Sequence, residues 1–147
     1  MPEEILRSMQ MAGARLTEPR RAVARVMGEA RGWLDAETIT SRARRHCPSI
    51  SLVTVYRTLD LLESLGIARR VHGLAGCHGY ARASIADGHF MLCRGCHQVI
   101  EFEGCDVERV SRRLARQTGF RVEDHVLELV GLCLECRSRR QTSRRKR

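Results

Sequence analysis

Two C-x-x-C pairs, Cys93-Arg-Gly-Cys96 and Cys133-Leu-Glu-Cys136, constrain this chain more than any other feature. A gap of two residues lets both thiolates of a pair reach one ion, and two such knuckles complete a tetrahedron with Zn–S near about 2.3 Å. The 36 residues between the pairs exceed the span of a compact zinc ribbon. An ion shared by the pairs therefore ties the last strand of a C-terminal half to its first hairpin. Four sulfurs close the coordination sphere, so the predicted role is structural. The competing reading is a thiol-redox protein that uses the pairs as dithiols.

The rest of the composition narrows the setting. Of the 147 residues, 43% are hydrophobic, and no apolar run approaches the length needed to cross a bilayer. The start, MPEEILRSMQ, lacks the basic opening and apolar stretch of a secretory signal. A cytoplasmic protein with no membrane partner is expected, and in that reducing setting clustered cysteines bind metal more often than they form disulfides. The formal charge is +9, and seven of those charges lie in the last eleven residues, RSRRQTSRRKR. A basic surface favours a polyanion through counterion release. A solvated, disordered tail fits the same charge run equally well.

Periodicity divides the chain. Pro2 to Gln10 reads as a short helix. Thr17 and Pro19 mark a helix start, and Val23, Val26, Met27 and Ala30 form one apolar stripe behind them. Asp35 caps a helix carrying Ala36, Ile39 and Ala43, which Cys47-Pro48 ends. Ser51 caps another, with Leu52, Val55, Leu59 and Leu62 on one face, and Gly66 closes it. Ile67 to His72, a glycine-rich turn and Gly79 to Ala81 read as a hairpin. Helices followed by a hairpin are the layout of a winged helix-turn-helix, whose last helix enters a DNA major groove. Beyond it, His89–Cys93 and Gln98–Phe102 are predicted strands and Asp106–Thr118 a helix with Val107, Val110 and Leu114 inward. Arg121–Leu132 is a predicted strand. The fold class is α+β. The boundaries are 1–84 for the winged helix, 85–88 for a hinge, 89–136 for the second domain and 137–147 for a basic disordered tail.

Several segments together resemble the ferric uptake regulator family of bacterial metalloregulators. They are Leu16-Thr17-Glu18-Pro19-Arg20, Thr54-Val55-Tyr56-Arg57-Thr58-Leu59, Cys93-Arg-Gly-Cys96 with Val99-Ile100-Glu101-Phe102, and Gly131-Leu-Cys133-Leu-Glu-Cys136. The resemblance covers nearly the whole chain except the tail. It implies a transcription regulator rather than an enzyme: a homodimer joined through its C-terminal α/β half, binding double-stranded DNA at a palindromic operator and switched by a second metal. On the helix capped by Ser51, Thr54, Tyr56 and Arg57 lie away from the core stripe, where a tyrosine ring can pack on a thymine methyl and an arginine can reach a guanine edge or phosphate. The resemblance makes Tyr56 and Arg57 the reading residues and Arg20 a phosphate contact.

The resemblance also implies a regulatory metal site at Asp87, His89, Glu108 and His125. Two carboxylates and two imidazoles suit zinc, with Fe(II) or Mn(II) as alternatives, and Asp87 and His89, two apart on an extended segment, face the same side. The chain departs from the family's iron regulators: Trp33 stands where they often place a histidine, Ala81 replaces a wing carboxylate, and no histidine-rich run precedes Cys93. A replacement site is offered by His72, Cys77, His78 and Glu101. A thiolate favours zinc, which points to the zinc-uptake type of regulator, repressing metal-uptake genes. An iron- or peroxide-responsive regulator is the alternative within the family, although a peroxide sensor calls for Asp where Glu101 stands. Cys105, ahead of a helix, reads as a packing or capping residue, and His97, in place of the usual glycine after the second cysteine, carries no assigned role.

Overall fold

In the computed structural model, residues 1–72, 78–86 and 88–145 are described, with the backbone alone for 140–145. Four helices open the chain: α1 (Pro2–Met11), α2 (Glu18–Glu29), α3 (Ala36–Ala43) and α4 (Leu52–Ser64). Their starts follow local chemistry. The Asp35 carboxylate accepts from the Thr38 N–H at 2.6 Å, and the Ser51 hydroxyl accepts from the Thr54 N–H at 3.2 Å, each satisfying a donor that the first turn leaves unpaired. Thr17 occupies the cap position of α2 without a side-chain hydrogen bond. The apolar stripes converge on one core, where Met9, Val23, Met27, Ile39, Val55, Leu59 and Leu62 are buried. Gly66, at φ +67°, turns the chain out of α4, a conformation that glycine adopts without steric cost.

The wing follows. Strands β1 (Ala68–Val71) and β2 (Gly79–Arg82) pair antiparallel. Leu34 adds a bridge to Tyr80, so the loop before α3 is stitched to the wing's edge. This completes a winged helix-turn-helix.

The second half is a three-stranded sheet ordered β4-β3-β5, with β3 (His89–Cys93) in the centre, β4 (Val99–Phe102) antiparallel to it and β5 (Glu128–Gly131) parallel. Parallel pairing needs a crossover, which α5 (Val107–Thr118) supplies. Gly119, left-handed at φ +75°, ends α5.

Three expectations need correction. The strand expected over Arg121–Leu132 is reduced to Glu128–Gly131, the residues that run in register with Phe90 to Cys93 along β3. The side chains of Val110 and Leu114 on α5 do not face inward within one chain; they are 40% and 47% exposed, and α5 has no buried residue. Of the segment 137–147, expected to be disordered, residues 137–145 continue α6 (Leu134–Arg145), consistent with the good helix propensity of arginine, and 146–147 lie outside the described residues.

The halves touch at a second place besides the hinge. Gly32 bridges Gln98, and the Trp33 N–H donates to the His97 carbonyl at 3.2 Å. A Cβ at Gly32 would overlap that carbonyl, so the contact requires glycine. The Trp33 indole stacks on the His97 ring at 4.4 Å.

Candidate metal centres

Among the described residues, two groups of three or more His, Cys, Asp or Glu bring their ligand atoms within 4.8 Å of one another. The first is Cys93, Cys96, Cys133 and Cys136. Cys93 closes β3, Cys96 completes the turn after it, and Cys133 and Cys136 lie between β5 and the first turn of α6. The parallel pairing of Cys93 with Gly131 brings the two knuckles together. Sγ of Cys96 and Sγ of Cys133 are 3.7 Å apart. Tetrahedral Zn–S bonds of about 2.3 Å place sulfurs about 3.8 Å apart, and a disulfide would hold them near 2 Å. All four cysteines are free thiols, and their geometry fits a zinc ion.

The backbone prepares these sulfurs. The N–H groups of Cys133 and Gly95 approach Sγ of Cys93 at 3.2 and 3.4 Å. The Cys133 N–H is the largest influence holding the Cys93 thiol down at about 6. Cys136 is pushed up to about 12, first by its hydrogen bond with Cys133. The metal-free cluster thus resists full ionisation, and an ion that binds it displaces protons, so zinc affinity falls as pH falls. His97, at φ +64°, occupies the left-handed position that the knuckle turn demands.

The second group is His89, Cys105 and His125. Sγ of Cys105 lies 2.9 Å from Nε2 of His89 and 3.3 Å from Nε2 of His125. His89 is buried at the start of β3, Cys105 precedes α5, and His125 lies in the irregular segment before β5 rather than within a strand. Sequence reasoning missed Cys105, which stands 16 and 20 residues from its neighbours, so no local spacing marks it. Glu108 is not among these converging atoms. It is exposed on α5 with a loose contact to Arg112 at 3.9 Å, although it lines the same cavity as His89 and His125. Asp87 lies outside the described residues.

The wing set expected from His72, Cys77, His78 and Glu101 does not assemble among the described residues, and Cys77 lies outside them. The His72 backbone N–H donates to the Glu128 carboxylate, its ring lies 3.4 Å from the same group, and His78 meets that ring edge-on at 5.7 Å. Glu101 is committed elsewhere. It accepts from Arg69 Nη2 at 2.7 Å, from the Ser84 hydroxyl and N–H at 2.6 and 2.9 Å, and from the Ile85 N–H at 3.1 Å. Arg69 also donates to the Ile85 and Gly88 carbonyls and lies over the Phe90 ring. An arginine–carboxylate clamp therefore joins the wing, the hinge and the second sheet where a metal site was expected.

Burial works to raise the Glu101 carboxyl, but the Ser84 hydroxyl and the N–H donors outweigh it and hold it below its ordinary value of 4.5. A carboxylate lowered in the folded state adds stability above its unfolded value, and that contribution is lost as pH falls through the folded value. Glu101→Gln should cost about 1–3 kcal/mol at neutral pH. Thermal unfolding from pH 7 to 3 should show wild type and variant converging below about pH 4.5. A constant difference would remove the clamp's role.

Of the residues expected to face DNA, Thr54, Tyr56 and Arg57 lie in the N-terminal half of α4 and Arg20 in the first turn of α2. Tyr56 is 43% exposed and Arg57 is exposed, while Val55 and Leu59 point into the core. The Thr54 hydroxyl is engaged by Ser51 at 2.9 Å. Arg20 is half-buried and donates to the Arg15 carbonyl at 2.9 Å.

A winged helix joined to a half built around a four-cysteine knuckle pair defines a two-domain metalloregulator architecture. Known proteins share it. A model of the ferric uptake regulator family matches residues 11–130. The zinc uptake regulation protein of Mycobacterium tuberculosis is 33% identical over 130 residues, covering 88% of this chain and 100% of that protein. The ferric uptake regulation protein of Brucella abortus is 36% identical over 121 residues, covering 82% of this chain and 86% of that one. A solved zinc uptake regulator complexed with zinc and DNA superposes with a TM-score of 0.78 at 26% identity, over 95% of each chain. The chain belongs to the ferric uptake regulator family, whose members are metal-responsive transcription regulators.

Proposed function

We propose that this protein is a zinc-responsive repressor that binds palindromic duplex DNA as a homodimer. The observation that carries the reading is the His89–His125 pairing, with rings 5.0 Å apart, directly after the hinge and beside the clamp that orients the wing. An ion held there favours one angle between the halves, and so shifts the population toward the shape that fits DNA. Asp87 and Glu108 are the carboxylates the family likeness adds to this set. The four-cysteine zinc folds the second half and leaves no open coordination position. The relatives named for zinc uptake, and the zinc- and DNA-bound neighbour, support zinc and DNA as the partners.

Dimerisation is supported by apolar surface that one chain leaves to water. Ile100, Met91 and Leu129 are direct neighbours across all three strands and are 51%, 45% and 42% exposed. A contiguous stripe of this kind marks an interaction face. A second copy covering it would bring two α4 helices to two half-sites about 34–36 Å apart, one turn of DNA.

Gel shifts on a library of palindromic A·T-rich duplexes, with zinc, Fe(II) and Mn(II) tested in turn, check this. Retardation should require an added ion and appear at the lowest free concentration with zinc. Equal retardation in chelator and in every metal would remove the sensor function.

A further inference from the structure

The geometry points to Cys105 as a thiolate ligand that, with His89 and His125, forms a second metal site of two nitrogens and one sulfur. This rests on the reading of His89 and His125 as sensor ligands, and changes the chemistry of that site. The three donors come from three elements with no local reason to meet: a buried strand start, the segment ahead of α5 and the irregular run before β5. Their approach is close. A sulfur 2.9 Å from one imidazole nitrogen and 3.3 Å from another is packed more tightly than sulfur hydrogen bonding requires. Zn–N and Zn–S bonds of about 2.0 and 2.3 Å put N and S about 3.6 Å apart in a tetrahedron. The sulfur therefore needs to draw back by about 0.3 Å from His125 and about 0.7 Å from His89 for an ion to enter. Both facing atoms are Nε2, so each ring keeps Nδ1 for an outer hydrogen bond that fixes its orientation.

The fourth position falls to a carboxylate or water, and Glu108, in the first turn of α5, lines the same cavity as His89 and His125. On binding, the Cys105 thiol releases its proton to solvent and the neutral imidazoles release none, so the thiolate neutralises one charge of the ion. Sulfur makes the site choosy. Thiolate ligands favour zinc and cobalt over Mn(II) and Fe(II), which prefer oxygen-rich sets. A histidine–carboxylate site lacks that preference, so Cys105 accounts for zinc selectivity without the wing cysteine.

The test is a Co(II) titration of the full-length protein carrying one zinc per chain, with zinc counted before and after to show that the four-cysteine site is untouched. Wild type and Cys77→Ser should both take up one cobalt with visible bands of tetrahedral geometry and a near-ultraviolet sulfur-to-cobalt charge-transfer band. Cys105→Ser should lose the charge-transfer band and bind cobalt at least about 10–100-fold more weakly, the range reached by loss of an outer-shell partner alone. Cys105→Asp should recover part of the affinity without the band, separating a lost ligand from a damaged fold. Visible bands with no charge transfer in wild type, or a band that survives Cys105→Ser, would overturn the thiolate assignment while leaving the histidine sensor standing. Metal-dependent DNA binding with no cobalt taken up would overturn both.

Discussion

Cys133→Ser should release the zinc and unfold the second half while leaving the helical half folded. The expected effect is large because so little else holds residues 89–136 together. The buried cluster there is Phe90 and Leu92 with Val71, Ala81 and Ala83, and three of those five belong to the wing or its exit. Helix α5 contributes no buried residue. The first half, by contrast, has its own core from Ile5 to Ala68. A structural zinc contributes about 10–16 kcal/mol of apparent binding free energy in zinc-finger peptides, against a total stability of about 5–15 kcal/mol for an ordinary domain. Removing one sulfur also leaves Cys93 without the ion for which its two N–H donors prepare it. Metal analysis and hydrogen exchange on the variant check the expectation: zinc below one per chain, protection lost on β3, β4 and β5, and protection kept on α2 and α4. Retained protection on the sheet with no zinc bound would mean that packing alone suffices.

The second large effect is on DNA. Tyr56→Ala and Arg57→Ala should each weaken binding by about 1–3 kcal/mol per half-site. In a dimer each change occurs twice, so about 2–6 kcal/mol is expected, roughly 30-fold or more. The two should differ in kind. Tyr56 offers an apolar face, so its loss should leave the salt dependence unchanged and relax base preference. Arg57, where it meets a phosphate, should lower the slope of log K against log salt by about 1 per contact; where it meets a guanine edge it should relax specificity instead. Neither change should alter stability much, since both side chains are exposed while Val55 and Leu59 carry the packing. Anisotropy titrations at several salt concentrations resolve these cases. Unchanged affinity in both variants would move the reading surface off α4.

Much of this architecture was legible in the chain because its signals are local. Asp35, Ser51, Gly66 and Gly119 stand where caps and turns demand their chemistry, and the apolar stripes of α2 and α4 repeat at helical spacing. The four-cysteine cluster was legible because both knuckles keep the spacing that one ion imposes. What escaped was decided by distant partners. Residues 121–127 look like strand but meet β3 only through the Leu127 carbonyl, which accepts from the Phe90 N–H at 3.4 Å, and His125 is turned toward Cys105 instead. Glu101 reads as a metal ligand until Arg69, 32 positions away, is seen to hold it. Val110 and Leu114 have the period of core residues, but within one chain they stay 40% and 47% exposed. His97 breaks the usual glycine pattern, and only the stacked Trp33 shows what a ring gains at that position.

The proposed regulator uses two ions with separate duties, one to fold the second half and one to switch DNA binding. Counting zinc by native mass spectrometry while DNA binding is followed on the same samples at rising free zinc tests that division most directly. One zinc per chain should persist in mild chelator with no binding to palindromic duplexes, and retardation should rise in step with the second zinc. Full DNA binding by chains that carry a single zinc would contradict it.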